Sequence, residues 1–142
     1  VHGHDNGVKE TVARFIEKFG LEAVILHEQL DQSRTVIEKL LDHAVEADYA
    51  IALFTPDDIG YPVNNPDDRK HRARQNVVLE LGLFLGLLGR KRVALLQVSD
   101  DIEIPSDYSG VLRVLFDSAG FWQLALAKEM KARGINIDLN KV

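Results

Sequence analysis

The chain has 142 residues, 46% of them hydrophobic and 27% charged, with a formal net charge of -5. That length suits one domain with a sizeable core, and the acidic balance argues against a general nucleic-acid binder. Cysteine is absent, which excludes disulfides and thiolate chemistry and fits a reducing compartment.

No signal peptide, lipidation motif, membrane span or internal repeat is visible. A cytoplasmic protein without membrane contact is therefore expected. Val1-His2-Gly3-His4-Asp5 reads as the end of a strand and its turn, and residues 137–142 stop without a clear terminus. The expectation is one domain over residues 1–142, cut from a longer protein with upstream residues missing.

Asp5 or Asn6 suits a helix cap, and Val8, Val12, Phe15, Ile16 and Phe19 follow at helical spacing up to Gly20. Glu22 to His27 is a short apolar run that predicts a strand, and Glu28 to Ser33 a polar loop. Thr35 and Glu38 match a capping box, with Ile37, Leu40, Leu41, Ala44 and Val45 as the apolar face of a second helix. Asp48 to Thr55 predicts a strand covered on both faces. Pro56 to Arg72 holds three prolines and many Asx residues, so turn chemistry predicts a long irregular loop.

A helix follows through Gln75 to Leu88, almost wholly apolar except for Glu80. Gly82, Gly86 and Gly89 are poor helix formers, which suggests close approach of another backbone. Arg92 to Val98 predicts a strand, Ser99 to Gly110 a polar loop, Val111 to Phe116 a last strand, and Phe121 to Arg133 a last helix. Counting Val1, this gives five strands alternating with helices. The expected fold is α/β and flavodoxin-like: a five-stranded parallel sheet of order 2-1-3-4-5 with helices on both faces. In such a sheet, ligands bind beyond the carboxyl ends of strands 1 and 3. Gly3, His4 and Asp5, then Phe54, Thr55, Asp57 and Asp58, and the start of the Glu80 helix with Asn76 all fall there.

A carboxylate inside an apolar helix must be solvated, paired or kept for work, because burying it alone costs several kcal/mol, order of magnitude. Glu80 is thus either a helix carboxylate bound to a neighbouring Arg or a functional group. The cluster Arg69-Lys70-His71-Arg72-Ala73-Arg74 is either a solvated flank balancing Asp67 and Asp68 or a phosphate and ribose contact through guanidinium forks. Gly3 would let a ligand approach the backbone. No G-x-G-x-x-G, P-loop or G-x-S-x-G pattern occurs. His2, His4, His27, His43 and His71 lack metal-ligand spacing, so no metal is expected.

One carboxylate beside a phosphate site suits cleavage of a ribosyl bond whose leaving group needs no protonation. Nicotinamide in NAD+, a cationic pyridinium, is such a group. The carboxylate would hold the ribose hydroxyls and stabilise an oxocarbenium-like transition state, or capture it. NAD+ would then be the substrate, with no separate cofactor.

The segments Val1-His2-Gly3-His4-Asp5, Ile25-Leu26-His27-Glu28-Gln29, Ser33-Arg34-Thr35-Val36-Ile37-Glu38-Lys39, Leu53-Phe54-Thr55-Pro56-Asp57-Asp58, 72–82 (RARQNVVLELG) and 104–111 (IPSDYSGV) resemble the bacterial TIR-like, predicted nucleotide-binding family. This family includes TIR domains of anti-phage effectors, some fused to STING-like or other cyclic-nucleotide sensors. The resemblance covers essentially the whole chain, and the R-x-R-Q-N-V-x-x-E-L-G run is its most specific part. It implies a TIR fold, NAD+ hydrolysis with Glu80 as the catalytic residue, and activation by TIR–TIR self-association driven by the sensor's ligand. Gly3, His4, Asp5, Phe54, Thr55, Asp57, Asp58, Arg72, Arg74 and Asn76 are the candidate substrate contacts. Two alternatives stand beside this reading: a nucleoside deoxyribosyltransferase-like enzyme, and a scaffold that binds nucleotide or partner TIR domains without turnover.

Overall fold

The structure is a computed structural model that describes residues 1–26, 35–108 and 110–142. The predicted loop at 28–33, His27 at the end of the predicted second strand, and Ser109 lie outside the described residues.

Local signals set the first two helices. Helix α1 spans Asn6–Glu17; Asp5 caps it, its carboxylate accepting the Val8 N–H at 3.0 Å. Val8, Val12, Phe15 and Ile16 form its buried face, and Gly20, at φ +76°, turns the chain away. Helix α2 spans Val36–Glu46. Its capping box is formed: the Glu38 N–H donates to the Thr35 hydroxyl at 3.3 Å, and the Glu38 carboxylate accepts the Thr35 N–H at 2.8 Å. The apolar face of α2 is narrower than its sequence suggests. Leu40 and Ala44 are buried, whereas Ile37, Leu41 and Val45 are exposed.

Three parallel strands make the central sheet: β1 (Ala50–Phe54), β4 (Val93–Gln97) and β6 (Leu112–Leu115), in the order β1-β4-β6. The register pairs Ala52 with Leu95 and Leu96 with Val114. Alternate residues serve opposite cores, as strands buried on both faces require. Leu53, Ala94, Leu96 and Val114 pack with α1 and with α4 (Phe121–Ala132). Ala52, Phe54, Val93 and Leu95 pack with α2 and with α3 (Gln75–Leu88). On the first face Trp122 stacks on Phe116 and meets Phe15 edge-on, ring centroids 5.0 Å apart in both pairs.

Two expectations about the sheet need correction. The predicted five-stranded sheet is split in two. Residues 22–26 form no strand, and Val24 is exposed. Among the described residues, Val1 lies along the near edge of β1: its nitrogen donates to the Ile51 carbonyl at 2.8 Å and its carbonyl accepts the Leu53 N–H at 2.9 Å. Residues 22–26 are exposed or half-buried, so the run lacks the cover on both faces that a parallel strand needs.

The second sheet arises inside the two predicted loops. β2 (Asp58–Gly60) pairs antiparallel with β3 (Lys70–Arg72), and β3 pairs in parallel with β5 (Ile102–Glu103). Turn bonds within the tip between β2 and β3, such as Asn65 N–H to the Pro62 carbonyl at 3.0 Å, compact it. The glycines of α3 also divide. A methyl on Gly82 would make ordinary contact with the Tyr108 hydroxyl, Gly86 has no neighbour there, and Gly89 is needed for its φ of +76°.

Candidate functional site

Helix α3 follows the β2–β3 hairpin and lies against β1 and β4. Between Gln75 and Leu88 its one charged residue is Glu80, 5% exposed, on the same buried face as Val77, Leu81 and Phe84. Arg74 occupies the N-cap position without capping the helix through its side chain, and no acidic residue sits in the first turn. The amino end of α3 therefore keeps the partial positive charge of the helix dipole. The Glu80 carboxylate acts on the Val1 ammonium: burial pushes that amine's pKa down, and Glu80 partly restores it.

The carboxyl end of β1 and the chain start are locked together by Asp57. Its carboxylate accepts the Thr55 hydroxyl at 2.6 Å and the His4 N–H at 3.1 Å, and the His4 ring nitrogen Nδ1 lies 3.5 Å away. A methyl on Gly3 would fall on this carboxylate and crowd the Thr55 hydroxyl. Gly3 thus admits a protein carboxylate where its sequence suggested a ligand. Thr55 is buried and Phe54 is wholly enclosed in the core, its carbonyl taking the Val98 N–H at 3.1 Å. Asp5 is committed to capping α1.

The basic cluster separates into different roles. Arg72 pairs with Glu103 across β3 and β5, and its guanidinium covers Gly60, where a side chain would collide with it. Lys70 reaches Asp68 at 3.6 Å and Glu103 at 3.7 Å. Arg69 lies over the Tyr61 ring, 5.7 Å from its centroid. Arg74 has no ion pair among the described residues, is half-buried, and stands with exposed Gln75 and Asn76 at the start of α3. Asp58 is exposed on β2, in register with Arg72. No group of three or more His, Asp or Glu among the described residues could hold a metal ion.

The structure also places residues that the sequence reading passed over. Gln97, buried at the carboxyl end of β4, accepts from Arg113 at 3.0 Å and donates to the Ser99 carbonyl at 3.0 Å and Asp100 at 3.3 Å. The lone amide ending an otherwise aliphatic run was its signal. Tyr108 donates its hydroxyl to the Val78 carbonyl of α3 at 3.2 Å, and burial pushes its phenol pKa up.

Parallel strands between two helix pairs, with an enclosed glutamate on the helix leading into the middle strand, define an α/β domain of the TIR class. The family described as the TIR domain of the CAP12/Pycsar effector protein matches residues 1–118, and the chain belongs to it. The chain is 48% identical over 141 residues to the uncharacterized protein YuaY of Escherichia coli K12, covering 99% of this chain and 46% of YuaY. It is 34% identical over 118 residues to protein tirC of Dictyostelium discoideum, covering 78% of this chain and 59% of tirC. It is 40% identical over 83 residues to the Pycsar effector protein PaPycTIR of Pseudomonas aeruginosa, covering 58% of this chain and 26% of PaPycTIR. The chain spans about half the length of the first two of these relatives. No helix among the described residues is long and apolar enough to cross a membrane.

Proposed function

We propose that this domain is an NAD+ glycohydrolase that cleaves the nicotinamide–ribose bond, as an effector of anti-phage defence. The observation that carries this reading is Glu80: a carboxylate 5% exposed, on a helix with no other charge. In so apolar a setting a negative charge interacts strongly with a developing cation. Nicotinamide departs as a neutral ring from a pyridinium, so no general acid is needed. Glu80 would hold the ribose hydroxyls and stabilise the oxocarbenium-like carbon until water adds to it. The NAD+ phosphates would lie at the amino end of α3, where the positive end of the helix dipole and Arg74, which has no ion pair among the described residues, favour anions. His4, Asp58 and Asn76 are exposed enough to line the approach, while Gly3, Thr55 and Asp57 form its floor.

The enclosed state of Glu80 fits a resting enzyme that opens on assembly. In this reading TIR domains are brought together by a cyclic-nucleotide sensor, STING-like or other, carried elsewhere in the full-length protein. The test is incubation of concentrated protein with NAD+, following nicotinamide release. Glu80→Gln keeps size and hydrogen bonding but removes the charge. It is expected to remain folded and to lose on the order of a hundredfold or more in rate. Near wild-type turnover by a folded Glu80→Gln protein would refute the assignment. Release of free base from nucleosides rather than NAD+ would instead support the deoxyribosyltransferase reading.

A further inference from the structure

Helices α2 and α3 lie side by side on one face of the central sheet. Each leads within a few residues into the amino end of a strand, α2 into β1 and α3 into β4, and those strands are parallel. The two helices therefore run in the same sense, with their carboxyl ends together at the amino edge of the sheet. Both keep an apolar row on the side turned away from the sheet. Ile37, Leu41 and Val45 follow at i, i+4 and i+8 on α2, all exposed, Val45 by 79%. On α3, Leu79, Leu83 and Leu87 repeat that spacing; Leu79 and Leu87 are exposed and Leu83 is half-buried. The solvent face of a helix ordinarily carries charge, and the outer row of α3 carries none. The charges stand at the carboxyl ends, with opposite sign on the two helices. Exposed Glu46 and Asp48 close α2, and exposed Arg90, Lys91 and Arg92 follow α3. None of these five has an ion pair among the described residues. The helix dipole accounts for cations at such an end but not for the acids of α2, which oppose it.

We propose that this face binds a second copy of the chain, α2 of each copy lying on α3 of the other. A two-fold axis along the groove between α2 and α3 exchanges the places of the two helices and keeps their direction. The apolar rows then meet, and Glu46 and Asp48 come opposite the cations 90–92 of the other copy, once on each side of the axis. With the axis across the helices instead, α2 would lie on α2 and α3 on α3, acid against acid and base against base. The charges thus select one arrangement of the two. The proposal rests on the assembly reading in that it names a contact by which domains drawn together meet. The contact itself is measured without NAD+.

Sedimentation equilibrium at low salt tests it with two charge reversals, Glu46→Lys and Lys91→Glu. Both positions are exposed, so both variants should melt as the wild type does. The wild type is expected to form dimers that salt weakens. Each reversal sets like charges opposite one another on both sides of the axis and should weaken dimerisation roughly tenfold or more. An equimolar mixture of the two variants should restore dimers, because in the mixed pair one contact has its charges exchanged and the other is unchanged. A wild type that stays monomeric up to about 1 mM would overturn the proposal. So would dimers that neither reversal weakens, or a mixture that associates no better than each variant alone. Nicotinamide release followed in the same samples separates the two readings: restored dimers without turnover would leave the contact standing and count against NAD+ cleavage alone.

Discussion

Replacing Gly3 by Ala places a methyl group where the Asp57 carboxylate lies. The Gly3 backbone adopts no left-handed conformation, so the effect is steric, first through Asp57 and then through the Thr55 hydroxyl. To make room, Asp57 must leave the Thr55 hydroxyl and the His4 N–H, now at 2.6 and 3.1 Å. Hydrogen bonds to a charged acceptor contribute about 1.5–3 kcal/mol each. Water recovers part of this as the side chain swings out, leaving a net destabilisation of about 2–3 kcal/mol. For a chain of this size that lowers Tm by roughly 6–9 °C. Trp122, the single tryptophan and a buried one, reports unfolding in urea by fluorescence. Asp57→Ala should cost a comparable amount, and in that background Gly3→Ala should cost clearly less, because the nearest obstacle is gone and only the Thr55 hydroxyl must turn aside. A Gly3→Ala cost within about 0.5 kcal/mol of zero, or an equal cost in both backgrounds, would refute the account.

Arg72→Ala removes a half-exposed pair with Glu103 and should cost at most about 1 kcal/mol in a melting experiment. Arg74→Ala, which breaks no ion pair among the described residues, should leave melting unchanged and raise KM for NAD+ more than it lowers kcat. Gly86→Ala should stabilise by about 0.5–1 kcal/mol, since a methyl there meets nothing within 4 Å; Gly89→Ala should destabilise because of its φ of +76°. Burial tends to raise the Asp117 carboxyl, but the Phe121 and Trp122 N–H groups outweigh it and hold its pKa below 3.8. A depressed folded pKa means that its stabilisation is complete above 3.8 and fades as pH falls through the lower folded value. Asp117→Ala should therefore lower Tm near neutrality, with the gap from wild type closing as the solution is acidified below that range.

What the sequence disclosed well was local or long. The Asp5 cap and the Thr35–Glu38 box involve residues three apart, so the chain carries both halves of the signal. β1 and β4 are continuous apolar runs, and Glu80 stands out in the sequence as the one charge of an apolar helix. What stayed hidden depends on distant partners. β2, β3 and β5 are two or three residues each, too short for a period, and β3 finds β5 across thirty residues through His71 and Ile102. The apolar stripe of α2 did not disclose that Ile37, Leu41 and Val45 face outward. At the site, position 3 was recognised as a close-approach glycine, but the approaching group is Asp57. Arg72 and Arg74 look alike in the sequence, and only the position of Glu103 separates them.

The β2–β3 hairpin has a practical consequence for engineering. Gly60 and Lys70 face each other in the ladder, so the two ends of the tip between them are already held together. Lengthening a loop whose ends are fixed costs little, about 0.6 kcal/mol for each doubling of its length. Residues 61–67 are all exposed, and Val63 at 95% exposure contributes almost nothing to packing. An epitope or a small fluorescent domain placed between Val63 and Asn64 should therefore leave both sheets intact. It would ride on the same hairpin that leads into α3, and so report on that hairpin without touching either core.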